Sequence, residues 1–241
     1  MSSFILKLIA AVTMFIDHMG LILFPGQMIF RIIGRLAFPL YAYCIAEGFR
    51  YTRNRWHYFL RIFILGSLCQ IVYAFVDDHL LLGILISFSI AIVIMALCDS
   101  AKSCLKGETS RLNRLIEKIT GKALSPAADR ILSSSLACTA VVLAFVLCMA
   151  VDVDYGFFGI MLPVLTSLFE GRTQRFVIFS VTLLALCIDL TASFPVQYWC
   201  LLTIPILAAY NGKPGKYRLK NFFYIFYPLH LAVLYGLDML L

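Results

Sequence analysis

The chain has 241 residues, 62% hydrophobic and 14% charged, with a formal net charge of +7 and a mean hydropathy of +0.92. A soluble domain of this length has no interior large enough to hide so much apolar surface, which excludes a soluble globular protein. The apolar residues come in long blocks between short polar breaks. Lipid offers the backbone no hydrogen bonds, so these blocks predict an all-α, polytopic membrane bundle.

A hydrocarbon core of about 30 Å asks for about 20 residues per helix. Nine spans are predicted, over 4–24, 28–49, 58–76, 80–98, 131–151, 157–170, 176–193, 195–210 and 221–241. The sixth and eighth are short, as tilted or partly re-entrant segments are. The first reads as a retained helix, since its apolar stretch exceeds that of a signal peptide and no small-residue cleavage site follows. With the N-terminus inside, eighteen of the twenty Lys and Arg fall on one side. They are Lys7, the cluster from Arg50 to Arg61, seven in 99–130, Arg172 and Arg175, and four from Lys213 to Lys220. The opposite loops carry Asp77, Asp78, Asp152 and Asp154. This asymmetry predicts N-in, C-out, and assigns the basic excess to orientation and not to a nucleic-acid partner.

Span one holds Asp17 and His18, span two Arg31 and Arg35, and span nine His230. Each intramembrane charge costs at least about 2.5–3.5 kcal/mol near the bilayer centre, so such groups face protein or water and tend to carry function. At about 1.5 Å per residue, His18 lies about 21 Å, Arg35 about 20 Å and His230 about 14 Å from the inner surface. Three helices thus bring polar groups to similar depth. Arg31 and Arg35, four apart, share a helix face and need an anion, from a protein carboxylate or a ligand phosphate. Asp17 is the expected partner. His18 points about 100° away from Asp17 and is left for a cavity. A purely structural histidine, bonded to a carbonyl, is the alternative for His18 and His230.

Further along span two, Pro39 lacks the N–H that would bond the carbonyl of Arg35, and Pro228 does the same to Tyr224. Glu47 and Arg50, three apart at the cytoplasmic end, read as an interfacial ion pair or as part of a donor path. Gly48, Gly83 and Gly159 read as close-packing positions between helices. In the 99–130 loop, Leu112, Leu115, Ile116 and Ile119 recur at helical spacing, with Arg111, Arg114 and Lys118 on other faces. That pattern fits a basic amphipathic helix on the anionic inner leaflet, or a solvated loop with some helicity. Asp154-Tyr155-Gly156 opens span six as an Asx-type turn or an acceptor-holding element. Tyr227 lies one turn from His230. The eight cysteines form no CxxC pair and read as apolar packing residues, so neither a disulfide framework nor a metal site is expected.

These residues resemble a known family. Ile16-Asp17-His18-Met19-Gly20 is similar to the DH-x-G motif of the TraX-like membrane acyltransferases, which take their name from a conjugative pilin N-acetylase. The run RIIGRLAFPLYAYCIAEGFRYTR over 31–53 resembles that family's most specific signature. Asp154-Tyr155-Gly156 with Gly159, Tyr210-Asn211-Gly212-Lys213, and the stretch from Phe222 to His230 match its DYG-x-x-G, YNG and FYxFYPLH motifs in order. The 99–130 segment is not covered. The resemblance implies one transmembrane acyltransferase domain over 1–241 in a bacterial cytoplasmic membrane. It implies acetyl-CoA or another acyl-CoA as cytoplasmic co-substrate, no metal, and an acceptor reached from the outer side. That acceptor is a pilin-like peptide, glycan, lipid or small amine. His18 would carry the acid–base work and Arg35 would share its site.

Acyl transfer needs a base, an oxyanion stabiliser and a place for a phosphorylated donor. His18 is the candidate base. Arg35 is the candidate for the oxyanion or a donor phosphate. His230 would be a second proton carrier and Asp17 the arginines' counter-ion. Arg31, Tyr155, Tyr227 and Glu47 are candidate substrate-binding residues. Neither GxSxG nor a P-loop occurs. The rival class is a proton-coupled transporter, with Asp17, His18, Arg35 and His230 as its relay.

Overall fold

A computed structural model of the chain describes residues 1–76, 81–191, 195–213, 215 and 220–240. The expectations placed on Asp77, Asp78, Lys216 and Arg218, and on the side chains of Lys220 and Tyr224, fall outside them. The helices are α1 (Ser3–Ile22), α2 (Met28–Gly34), α3 (Ala37–Tyr51), α4 (Arg55–Val76), α5 (Ile84–Leu105) and α6 (Arg111–Thr120). They continue with α7 (Pro126–Ala150), α8 (Gly156–Ser167), α9 (Arg172–Thr191), a 3-10 helix (Pro195–Leu202), α10 (Thr203–Ala208) and α11 (Lys220–Asp238). Among the described residues each predicted span contains helix, although the fourth opens on the strand Leu81–Leu82. Among the described residues, four segments are long and apolar enough to cross a membrane: Ser3–Ile22, Met28–Tyr51, Ile84–Leu105 and Pro126–Ala150. The sixth span is only the 12 residues of α8, and the eighth is the 3-10 helix followed by α10.

Among the described residues the helical bundle has one departure. Leu81–Leu82 (β1) pairs in parallel with Asp152–Val153 (β2), Leu81 opposite Asp152 and Leu82 opposite Val153. The Asp154 N–H extends the ladder to the Leu82 carbonyl at 2.9 Å.

The chain divides into two compact units, Met1–Arg50 with Phe169–Leu241, and Tyr51–Leu168. In the first, α1 packs on α2 and α11, and α9 on the 3-10 helix. Phe38 and Leu40 of α3 and Phe179, Leu183 and Leu186 of α9 are fully enclosed. The N-terminus is tied down here: the Ser3 N–H reaches the Lys213 carbonyl and the Asn211 N–H reaches the Met1 carbonyl, both at 2.8 Å. In the second unit α5 is the hub, packed by α4, α7 and α8. Phe88, Ile92 and Met95 of α5 and Ile160 and Leu162 of α8 fill that core. Its Arg55 and Asp99, from the start of α4 and the end of α5, form an ion pair at 2.5 Å.

Span two is not the single helix predicted. It breaks at Arg35-Leu36 between α2 and α3. Pro39 explains the break, because it has no N–H for the Arg35 carbonyl and the ladder cannot pass. Pro39 instead sits in the first turn of α3, where a missing N–H leaves nothing unpaired. Gly83 also departs from expectation. A Cβ there would meet only the Gln70 side chain, at 3.6 Å. Much closer approaches occur at Gly20 and Gly34 between α1 and α2, where a Cβ would fall on Phe30 and on Asp17. Those two glycines let α1 and α2 touch.

Candidate active site

The first unit gathers Asp17 and His18 of α1, Arg31 and Arg35 at the end of α2, and His230 of α11. Consecutive positions on α1 point apart, and the two side chains serve different neighbours. Asp17 turns to α2: its Oδ1 lies 2.8 Å from Arg31 Nη1 and 3.5 Å from Arg35 Nη2. One carboxylate is thus divided between two guanidiniums. Arg31 is the more exposed of the pair, at 28% against 13%.

His18 turns to α11. Its Nδ1 lies 2.6 Å from His230 Nε2, and the ring centres are 4.9 Å apart with planes 16° from parallel. A contact that short at that centre separation requires both nitrogens near the line of centres. The rings therefore meet edge to edge, as an N–H···N bond demands. The Nδ1 of His230 lies 2.7 Å from the Phe226 carbonyl. A carbonyl only accepts, so that nitrogen carries a proton. In a neutral His230 the Nε2 is then a lone pair, which accepts from Nδ1–H of His18. His18 is left with its lone pair on Nε2. The chain from Phe226 O through His230 to His18 fixes one tautomer of the candidate base. His230 is buried, and Tyr227 lies beside both rings, 5.8 Å from His230 and 6.5 Å from His18 between ring centres.

Arg35 is held by residues that sequence reasoning missed. Its Nη1 donates to Gln197 Oε1 at 3.3 Å, and Gln197 Nε2 donates to Cys200 Sγ at 2.9 Å. The Cys200 thiol donates at 3.1 Å to the carbonyl of Arg35 itself. Side chain and backbone of Arg35 are thus clipped by the 3-10 helix. The carbonyl freed by Pro39 is the signal that could have found this partner. Cys200, expected only to pack, is a hydrogen-bonded member of the site's support.

Glu47 is not paired with Arg50. The Glu47 carboxylate forms an ion pair with Arg175 and accepts from the Tyr210 hydroxyl at 3.0 Å. Arg50 donates to the Glu170 carbonyl at 2.8 Å. The reason is geometric: Glu47 faces inward at 5% exposure, whereas Arg50 is exposed. A buried carboxylate needs a buried cation, and Arg175 is 6% exposed. Glu47, Arg175 and Tyr210 tie the last turns of α3 to the start of α9 and to the turn that follows α10. Tyr155 belongs to the second unit, where it precedes α8 with φ 62° and ψ 11°, a left-handed conformation that is rare outside glycine. Among the described residues no group of three His, Cys, Asp or Glu is placed to hold a metal ion.

The model of the protein family described as "TraX protein" matches residues 2–238. The "Probable fimbrial assembly protein FimC, serogroup H1" of Dichelobacter nodosus is 26% identical over 266 aligned residues, covering 100% of this chain and 97% of that protein. The "Uncharacterized protein RP591" of Rickettsia prowazekii (strain Madrid E) is 40% identical over 67 residues, 28% of this chain and 25% of its own. No solved structure matches.

Proposed function

The chain belongs to the TraX protein family, and on that premise we propose that it is a multi-pass acyltransferase of the bacterial cytoplasmic membrane. It moves an acetyl or other acyl group from acyl-CoA to an amine or hydroxyl acceptor. The nine-span, N-in and C-out arrangement belongs to this reading. The residue 2–238 match to a family linked to pilin acetylation supports it, as does the relative named for fimbrial assembly. A pilin-like peptide is accordingly the first acceptor to try.

The observation that carries the reading is the His18–His230 contact beside the Asp17–Arg31–Arg35 cluster. His18 Nε2 takes the proton of the acceptor N–H or O–H as that atom attacks the thioester carbonyl. The carbonyl oxygen becomes an oxyanion, which the Arg35 guanidinium is suited to stabilise, and Arg31 suits a donor phosphate. Collapse breaks the C–S bond. The CoA thiolate leaves with the proton that His18 carried, and base and charge are restored. Asp17 keeps the two guanidiniums from repelling each other, and His230 holds the base in one tautomer.

The test is acceptor-dependent CoA release by purified protein, with acetyl-CoA and a panel of pilin peptides, glycans and amines. Wild type is compared with His18→Ala. Release that is lost in a folded His18→Ala protein supports transfer with the base on α1. Undetectable acetyl-CoA binding together with a His18-dependent proton or solute flux in liposomes would replace this reading with the transporter.

A further inference from the structure

The 99–130 segment lies outside the site and outside the reading above. Its centre is α6, a ten-residue helix closed at both ends. Ser110 Oγ accepts from the Asn113 N–H at 2.9 Å. At the other end the Gly121 N–H reaches the Glu117 carbonyl at 2.8 Å, in the left-handed conformation with φ 73° that glycine adopts without strain.

One face of α6 is fixed to α7 by buried polar groups. Asp129 accepts from the Ser110 hydroxyl at 2.5 Å, the Ser110 N–H at 3.0 Å, Asn113 Nδ2 at 3.2 Å and the Ser133 hydroxyl at 3.2 Å. Asn113 Oδ1 also accepts from the Leu124 N–H at 2.7 Å. The helix is therefore pinned to the opening turns of a segment long enough to span. Five residues link it to the end of α5 and five more to the start of α7. At about 3.3–3.6 Å per residue, neither linker lets it wander far from the helix ends it joins.

On the remaining faces Leu115 and Ile119 are exposed and Leu112 and Ile116 are half-buried. At about 100° per residue, Leu112, Leu115, Ile116 and Ile119 make one continuous stripe, with Arg111 and Lys118 along its edge and Arg114 just beyond. Leu115 is 54% exposed and Ile119 74%. Arg111, Arg114 and Lys118 are exposed, as are Lys106 and Lys122 in the linkers, against Glu108 and Glu117. An apolar stripe edged by cations, held at the ends of spanning helices, matches the acyl–headgroup boundary of an anionic leaflet.

We propose that α6 is an interfacial lipid-binding element. Its Leu112–Ile119 stripe enters the acyl boundary, and Arg111, Arg114 and Lys118 engage anionic phospholipid headgroups. The clasp at Asp129 presets the helix's rotation so that the stripe faces the bilayer. The element is independent of the chemistry assigned to His18.

The experiment uses the full chain in nanodiscs of phosphatidylcholine alone or with phosphatidylglycerol. Trp56 and Trp199 are replaced by Phe, and a single tryptophan is introduced by Ile119→Trp or, on the polar face, by Glu117→Trp. The expected result is strong quenching at position 119 by brominated lipid, weak quenching by aqueous acrylamide, and the reverse at 117. Changing Arg111, Arg114 and Lys118 together to Gln should remove the lipid quenching gained with phosphatidylglycerol. Equal acrylamide quenching at both positions in every lipid overturns the proposal. So does shielding at 119 that tracks protein concentration and not lipid, which would assign the stripe to a second copy. Trypsin cleavage of the unmodified chain after Arg114 serves as the mutation-free check. A several-fold slower cut with phosphatidylglycerol supports the proposal, and an unchanged rate overturns it.

Discussion

His18 and His230 stand 212 positions apart in the chain, yet Nδ1 of the first lies 2.6 Å from Nε2 of the second. The Phe226 carbonyl, one turn before His230 on α11, sets the direction of the whole chain of hydrogen bonds. A backbone acceptor thereby decides which nitrogen of His18 holds a lone pair. The histidine that touches substrate in the proposed reaction is His18, and His230 acts through it.

That division of labour predicts unequal losses. His18→Ala removes the base and should lower acyl transfer by about 10²–10⁴-fold. His230→Leu leaves the base but frees its tautomer, and a loss of about 10–100-fold is expected, the range found for groups that orient metal-bound histidines. His230→Gln carries an oxygen that can accept from Nδ1–H of His18, so it should recover part of the rate. KM for acetyl-CoA should stay near wild type in both His230 variants. Nitrogen-15 spectra of the imidazoles should show His18 protonated at Nδ1 in wild type and a tautomer mixture in His230→Leu. Identical rates and spectra for the Leu and Gln variants would remove the positioning role.

The α1–α2 contact depends on two missing side chains. A Cβ at Gly34 would fall on the Asp17 carboxylate, and one at Gly20 on the Phe30 side chain. Gly34→Ala should therefore cost about 1–3 kcal/mol, the usual price of overpacking, and push Asp17 away from its arginines. Acyl transfer should fall with it. Gly26→Ala meets nothing within 4 Å and should change stability by no more than about 0.5 kcal/mol. Thermal unfolding of detergent-solubilised protein, followed by intrinsic fluorescence, separates the two.

Much of this arrangement was legible in the residues. Charge inside an apolar block is expensive, so Asp17, His18, Arg31, Arg35 and His230 stand out, and helical rise places His18, Arg35 and His230 within about 7 Å of one another in depth. Helix phase also separated the roles of Asp17 and His18. Neutral residues carry no such signal. Gln197 and Cys200 hold Arg35 by contacts across more than 160 positions, which no local period encodes. Glu47 failed for a related reason. Spacing offered Arg50 as its partner, whereas burial chose Arg175 from another helix. Pro39 marks the break after α2 by freeing the Arg35 carbonyl, but whether a proline kinks or starts a helix depends on what waits for that carbonyl.

The Glu47–Arg175 pair is buried on both sides, with Tyr210 as a third member. Removing one partner leaves an uncompensated charge, so Glu47→Met or Arg175→Met should each destabilise by about 3–5 kcal/mol. The double variant loses both charges at once and should be more stable than either single one. Tyr210→Phe removes one hydrogen bond to a charged group and should cost about 1.5–3 kcal/mol. A double-mutant cycle read by denaturant unfolding measures the coupling. Simple additivity of the two Met substitutions would show that the pair does not act as a unit.

The α6 clasp should respond to acid. Asp129 sits in the first turn of α7, ahead of the apolar run that begins at Ile131 and of the predicted span 131–151. Burial alone would raise its pKa. The hydrogen bonds from the Ser110 hydroxyl and N–H, from Asn113 and from the Cys104 thiol outweigh that and hold the carboxyl below its ordinary value. A carboxyl with a depressed pKa in the folded state contributes stability that is complete above its unfolded value of about 3.9 and is lost as pH falls through the lower folded value. Amide exchange in α6, corrected for its intrinsic pH dependence, should therefore be slow and constant from neutral pH down to about 4. Below that it should rise as the clasp opens. Asp129→Asn cannot accept all of these bonds, so its α6 amides should exchange fast across the whole range. Unchanged protection in Asp129→Asn would mean that packing, and not the carboxylate, fixes α6 to α7.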